Sequence, residues 1–229
     1  MCHNRLKHHS GTRHFLSTKL FHFIMLIERP PLPYRMFFPE AIWRINKKEK
    51  VVYLTFDDGP IPEVTPWVLD ILDKYSVKAT FFCVGENILR NPGLFEEIKR
   101  RGHSVGNHTM SHMQSSMVTT RTYLRNVKEA QELIGTTLFR PPHGIMRWGT
   151  AKLLKDHFNI IMYDLVTRDY NKKLTGEQVL NNVKKYARKG SIIVFHDSLK
   201  AEANMKYALP RAIEWLKENG YGFAPIIEP

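Results

Sequence analysis

The residues whose types and spacing could do chemistry are Asp57-Asp58, His108 and His112, Arg140, the segment from Asp164 to Asp169, and His196-Asp197. His108-Thr109-Met110-Ser111-His112 has i, i+4 spacing, which would put two imidazoles on one face of a helical turn, near enough for one ion. A carboxylate from elsewhere would complete a two-histidine, one-carboxylate site with positions left open for water, the arrangement catalytic zinc uses. Asp57-Asp58 supplies candidates. Plainer readings stand beside these: histidines four apart can be surface or packing residues, and Asp-Asp-Gly-Pro can be an ordinary turn. Arg140-Pro141-Pro142-His143-Gly144 is stiffened by its prolines, so it could hold a guanidinium and backbone N–H groups near the carboxylates, or be a rigid loop with a surface arginine. His196 ends an apolar run, where it is either a site residue or a hydrogen-bonded core histidine.

Strand-like and helix-like segments alternate around these residues. Val51 to Phe56, Ala79 to Val84, Ser104 to Gly106, Leu138 to Arg140, Asn159 to Tyr163, Ser191 to Phe195 and Tyr221 to Ala224 read as strands. Helical spacing covers Val64 to Tyr75, a helix opened by Asn91-Pro92 and closed by Gly102, Thr120 to Ile134 stopped by Gly135, Trp148 to Asp156, a segment opened by Thr175-Gly176-Glu177-Gln178, and Asn204 to Glu218. Seven βα-type units imply a parallel sheet with helices outside it, either an open doubly wound sheet or a barrel. The reactive residues all follow strands, and parallel αβ folds gather their sites at the carboxyl ends of strands.

In order and approximate spacing, Thr55-Phe56-Asp57-Asp58-Gly59-Pro60, His108-Thr109-Met110-Ser111-His112, Arg140-Pro141-Pro142-His143-Gly144, Asp169-Tyr170 and Val194-Phe195-His196 resemble the five motifs of polysaccharide deacetylases, carbohydrate esterase family 4 (the NodB-homology domain). The resemblance runs from about Val51 to the C-terminus. It implies an α/β fold, a distorted (β/α)7 barrel, and a divalent metal, most often Zn2+ with Co2+ as the alternative. The implied activity is hydrolysis of acetyl groups on an N-acetylated sugar or polysaccharide, or, in some members, O-acetylated xylan. Carried over, Asp58, His108 and His112 hold the metal, Asp57 is the catalytic base, Arg140 orients Asp57, His196 is the general acid and Asp169 tunes it. His143, through its backbone N–H, would help bind the developing oxyanion, and with Tyr170, Val194 and Pro141 it would border the substrate. Tyr170 stands where the family usually has Trp, Val194 where it has Leu, and His143 where Tyr is common. These departures bear on substrate identity, and a non-hydrolytic carbohydrate-binding protein is the further alternative.

Length and composition set the bounds. The chain has 229 residues, 43% apolar and 24% charged, which suits one globular domain and excludes a largely disordered or collagen-like chain. With 34 basic and 22 acidic residues the net charge is +12, which taken alone would point to nucleic acid or an acidic polymer. Residues 1–24 contribute Arg5, Lys7, Arg13 and Lys19 with no acid, and no aromatic-interleaved basic stripe follows, so no nucleic-acid partner is expected. The expected organisation is a poorly ordered basic extension over residues 1–24, a Pro-rich lead-in over 25–50 and a catalytic domain over 51–229, with Met25 an alternative start. Cys2 and Cys83 lack metal or redox spacing. No apolar stretch approaches the ~20 residues of a transmembrane helix. Leu20 to Ile27, interrupted by His22 and followed by Glu28 and Arg29, makes a poor signal peptide, so a cytoplasmic location is expected and export stays open.

Overall fold

The computed structural model describes residues 28–228; the expectation for residues 1–24 lies outside them. Parallel strands run in the order β5-β4-β3-β2-β1-β7-β6, where β1 is Val51–Asp57, β2 Thr80–Cys83, β3 Ser104–Asn107, β4 Leu138–Phe139, β5 Asn159–Ile160, β6 Leu165–Val166 and β7 Ile192–His196. A last strand, β8 (Gly222–Phe223), pairs with the first two residues of β1. The result is the expected distorted barrel with flanking helices.

The distortion has a local origin. Asn159 to Tyr163, expected as one strand, is the first part of a split one: β5 pairs with β4, and β6, only four residues later, pairs with β7 at the other end of the sheet. Between them the carbonyls of Ile161 and Met162 accept from the Arg140 guanidinium, at 3.2 and 3.1 Å, instead of from a neighbouring strand. One extended run thus touches both sheet ends, and a side chain fills the seam.

Alternation along the strands builds two layers. Val52, Leu54 and Phe56 of β1, Phe81 and Cys83 of β2, and Ile193 and Phe195 of β7 face the outer helices. Among these are α2 (Thr65–Lys74), α7 (Gly176–Tyr186) and α8 (Glu202–Glu218), whose Val68, Leu72, Val179, Val183, Leu209 and Ile213 are buried against them. Tyr53, Phe82, Ile192 and Val194 face inward. Thr175 caps α7 with a complete capping box. Thr119 caps α5 (Thr120–Ile134), and Gly135, at φ 65°, ends it in the left-handed conformation. Gly85–Arg90, unanticipated, is a helix (α3) ahead of α4 (Pro92–Arg100), and Trp148–Leu154 forms α6.

Residues before β1 are part of the core. The short α1 (Leu32–Met36) buries Tyr34, and Phe38 and Ala41 join a cluster with Tyr123, Phe139 and Met162. Tyr34 also donates its hydroxyl proton to the Gly144 carbonyl at 2.6 Å, fastening the loop after β4.

Candidate active site

Inward-facing positions of β1 and β7 carry polar groups toward the carboxyl end of the barrel. Thr55, Asp57, Val194 and His196 lie on that face, with Asp57 paired in register with His196. The Asp57 carboxylate is buried and accepts from Arg140 Nη1 at 2.6 Å, while the same nitrogen donates to Thr55 Oγ1 at 2.7 Å. Arg140 is 1% exposed, with its guanidinium carbon 4.0 Å from the centroid of the Phe82 ring. All of its contacts are with fixed groups, so Asp57 Oδ1 is held in one place and Oδ2 has no hydrogen-bond partner among the described residues.

Asp58, His108 and His112 place one ligand atom each within 4.8 Å of one another. His108 Nδ1 lies 2.8 Å from the Arg140 carbonyl oxygen. A carbonyl only accepts, so Nδ1 carries the proton and Nε2 presents its lone pair to the cluster. Burial pulls the His108 pKa down to about 4, against the opposite pull of Asp57, which keeps the ring neutral near pH 7 as a metal ligand requires. His112 Nε2 is 3.2 Å from Asp58 Oδ1. One carboxylate oxygen and two imidazole nitrogens, with the remaining directions open to the cavity, fit a divalent ion such as zinc.

The two histidines do not share a helical turn, contrary to the reading of their spacing. The segment is a loop, with Thr109 at φ 67° and His112 at φ 51°. Side chains satisfy its backbone: Asn107 Oδ1 accepts from Thr109 N, Asn126 Oδ1 from Met110 N and Ser111 N, and Thr109 Oγ1 from Met113 N. With the N–H groups taken locally, no i→i−4 ladder forms. Asp58 and His143 also have positive φ, at 87° and 62°. Such backbone is uncommon outside glycine and costs roughly 1–3 kcal/mol per residue, and it clusters at sites whose geometry the surroundings enforce.

Across the cavity, Asp169 holds His196 at two points: Oδ1 lies 2.7 Å from Nδ1 and Oδ2 accepts from the backbone N–H at 2.8 Å. Burial works against a charge on His196, but the carboxylates of Asp169, Asp58 and Asp57 together outweigh it and push the pKa up to about 9. The imidazolium is therefore the prevailing form at neutral pH.

Asp197 is the residue whose part was not read from sequence. It is fully buried, accepts from Gly59 N at 3.1 Å and from Thr65 Oγ1 at 2.6 Å, and donates its own N–H to the Asp57 carbonyl at 3.1 Å. A Cβ on Gly59 would come within 1.9 Å of Asp197 Oδ2, so only glycine allows the approach. Asp197 thereby clasps the turn that carries Asp57 and Asp58.

A cavity of about 230 Å³ joins these groups, lined by Asp57, Asp58, His108, His112, Arg140, His143, Tyr170, Val194 and His196. Gly144, Tyr163, Val166 and Lys200, not anticipated, complete the wall. Pro141, expected to border substrate, is buried and is not among the residues that line the cavity. The Tyr170 ring stands edge-on to His196 with centroids 4.9 Å apart, and Lys200 Nζ lies 5.5 Å from the Tyr170 ring.

A sequence model of the family described as polysaccharide deacetylase matches residues 44–159. The peptidoglycan-N-acetylglucosamine deacetylase of Bacillus cereus is 32% identical over 193 residues, covering 81% of this chain and 91% of that protein. The peptidoglycan-N-acetylmuramic acid deacetylase PdaC of Bacillus subtilis is 31% identical over 186 residues, 77% of this chain but 38% of that longer protein. Among solved structures, the Bc1960 peptidoglycan N-acetylglucosamine deacetylase superposes with a TM-score of 0.77 at 30% identity, over 86% of this chain and 94% of that one. With matches that span most of its length and a fold that agrees, this chain belongs to the polysaccharide deacetylase family of hydrolases.

Proposed function

We propose that the protein removes acetyl groups from the N-acetylated amino sugars of peptidoglycan-type glycans. The observation that carries this is the placing of two separately braced proton-transfer groups, Asp57 on Arg140 and His196 on Asp169, at one cavity with the Asp58, His108, His112 ligand set. A divalent ion held there would polarise the acetyl carbonyl and lower the pKa of water toward about 7. Asp57 Oδ2 takes the proton of the attacking water, and the backbone N–H of His143 helps bind the oxyanion. His196 Nε2 donates its proton to the departing nitrogen, while Asp169 keeps Nδ1 protonated and the ring in place. The substrate names of the two curated relatives, one acting on N-acetylglucosamine and one on N-acetylmuramic acid, support the glycan class. The cavity is smaller than the roughly 300–1,000 Å³ that encloses a drug-sized ligand, so it suits one acetamide and its ring with the polymer outside. A peptidoglycan substrate accords with export, the alternative left open above; among the described residues no helix is long and apolar enough to cross a membrane.

The test is acetate release by the purified protein from N-acetylglucosamine oligomers and peptidoglycan fragments, beside acetylated xylan. Release from the first two should stop with a chelator and return with Zn2+ or Co2+. Activity indifferent to chelation would refute the metal-assisted mechanism, and activity confined to xylan would replace the substrate class.

A pH profile checks the acid. His196 is protonated below about 9 and loses the proton as pH rises through that value, so the rate should fall on the alkaline side. Asp169→Asn removes the main influence raising that pKa and leaves burial opposed only by Asp57 and Asp58, so the alkaline limb should move to lower pH. An unmoved limb would mean that another group donates the proton.

A further inference from the structure

At the other end of the barrel, Asp164 is fully buried among four guanidiniums from separate parts of the chain. Its N–H donates to the Ile192 carbonyl, four residues, or about 13 Å of strand, before His196. Arg188 spans both carboxylate oxygens, at 2.8 Å to Oδ2 and 2.5 Å to Oδ1, Arg35 Nη2 donates to Oδ1 at 3.0 Å and Ser191 Oγ to Oδ2 at 2.8 Å. That uses the four or so acceptor directions of a carboxylate.

Arg29 and Arg44 come too late to share it. Arg29 Nη2 stands 3.7 Å and Arg44 Nε 3.9 Å from Oδ2, beyond hydrogen-bond distance. Each is tethered by one nitrogen, Arg29 Nη2 to the Tyr186 carbonyl and Arg44 Nη2 to the Lys189 carbonyl. The Nε of each is buried with no hydrogen-bond partner among the described residues. One negative charge therefore faces four positive ones, with donors left over. The side chains are 15% to 40% exposed, so parts of the guanidiniums other than the two buried Nε atoms are open to solutes.

We propose that this cluster binds a phosphate group, at a site separate from the catalytic cavity. A dianion supplies charge that Asp164 alone does not, and its oxygens match the planar donor forks of arginine, which a spherical chloride cannot. The phosphate can be free or carried on an anionic lipid headgroup. Because Arg29, Arg35 and Arg44 belong to the lead-in and Arg188 and Asp164 to the barrel, the bound anion ties the two together and raises stability through linkage.

The experiment titrates the metal-loaded protein with inorganic phosphate at constant ionic strength, set with chloride, and follows heat and Tm. Saturable one-to-one binding with a rising Tm is expected, and the double variant R29Q/R44Q should weaken it by about tenfold or more. Arg44→Lys, which keeps the charge and hence the fold but loses the fork, should weaken it too. Cosedimentation with phosphatidylglycerol vesicles but not phosphatidylcholine vesicles, lost in R29Q/R44Q, would assign the phosphate to a lipid; phosphate binding without vesicle binding would assign it to the free anion. The proposal is overturned if the wild type shows no saturable phosphate binding, or if both variants bind phosphate as the wild type does.

Discussion

Asp57→Asn should lower the rate of acetate release by about 10²–10⁴-fold, the usual contribution of a positioned acid or base. The amide keeps the shape of the carboxylate and its oxygen can still accept from Arg140 Nη1, so the loss falls on the chemical step. Asp58, His108 and His112 are untouched, and stoichiometric zinc binding by the variant, measured by metal analysis after dialysis, should match the wild type. The two readouts together decide the role. A variant that turns over normally would remove Asp57 as the base, and one that loses its metal would make Asp57 a part of the ligand set instead.

Arg140→Met should cost about 3–5 kcal/mol of folding stability, because it strands a buried carboxylate beside carbonyls that lose their donor. The guanidinium donates to Thr55, Asp57, Ile161 and Met162 together, and three of those partners have no other donor among the described residues. Urea unfolding midpoints, compared at equal slope, would measure it. Arg140→Lys should recover little, since a single ammonium cannot reproduce a planar fork that reaches four acceptors. A loss below about 1 kcal/mol, the scale of an exposed ion pair, would show that the seam closes without Arg140.

Local signals carried much of the fold into the sequence. Thr120 to Ile134, bounded by Thr119 and Gly135, is a helix at the expected residues, and Thr175 with Gln178 forms the expected capping box, because caps and periodicity are written within a few residues of one another. The site residues were legible as types in order along the chain, each behind a strand. What was not legible depends on distant partners. The split of the fifth strand follows from Arg140 taking carbonyls twenty-odd residues away, and the looped path from His108 to His112 owes much to Asn126, some fifteen residues on, capturing two of its N–H groups. Spacing alone read that segment as a helical turn. Asp197 was singled out with His196 but given no role, because nothing near it in sequence announces Gly59 and Thr65. Pro141 was placed beside the substrate by its position in a motif, and it is not among the residues that line the cavity.

The Arg140 seam also constrains how this protein can change over generations. One side chain both holds the Asp57 carboxylate and closes the barrel, so a substitution there would act on folding as well as on the site. Asp57 shares that load, because its loss would leave a buried guanidinium without its carboxylate. A lineage that gave up hydrolysis would carry the arginine and its carboxylate forward long after they had stopped serving a reaction.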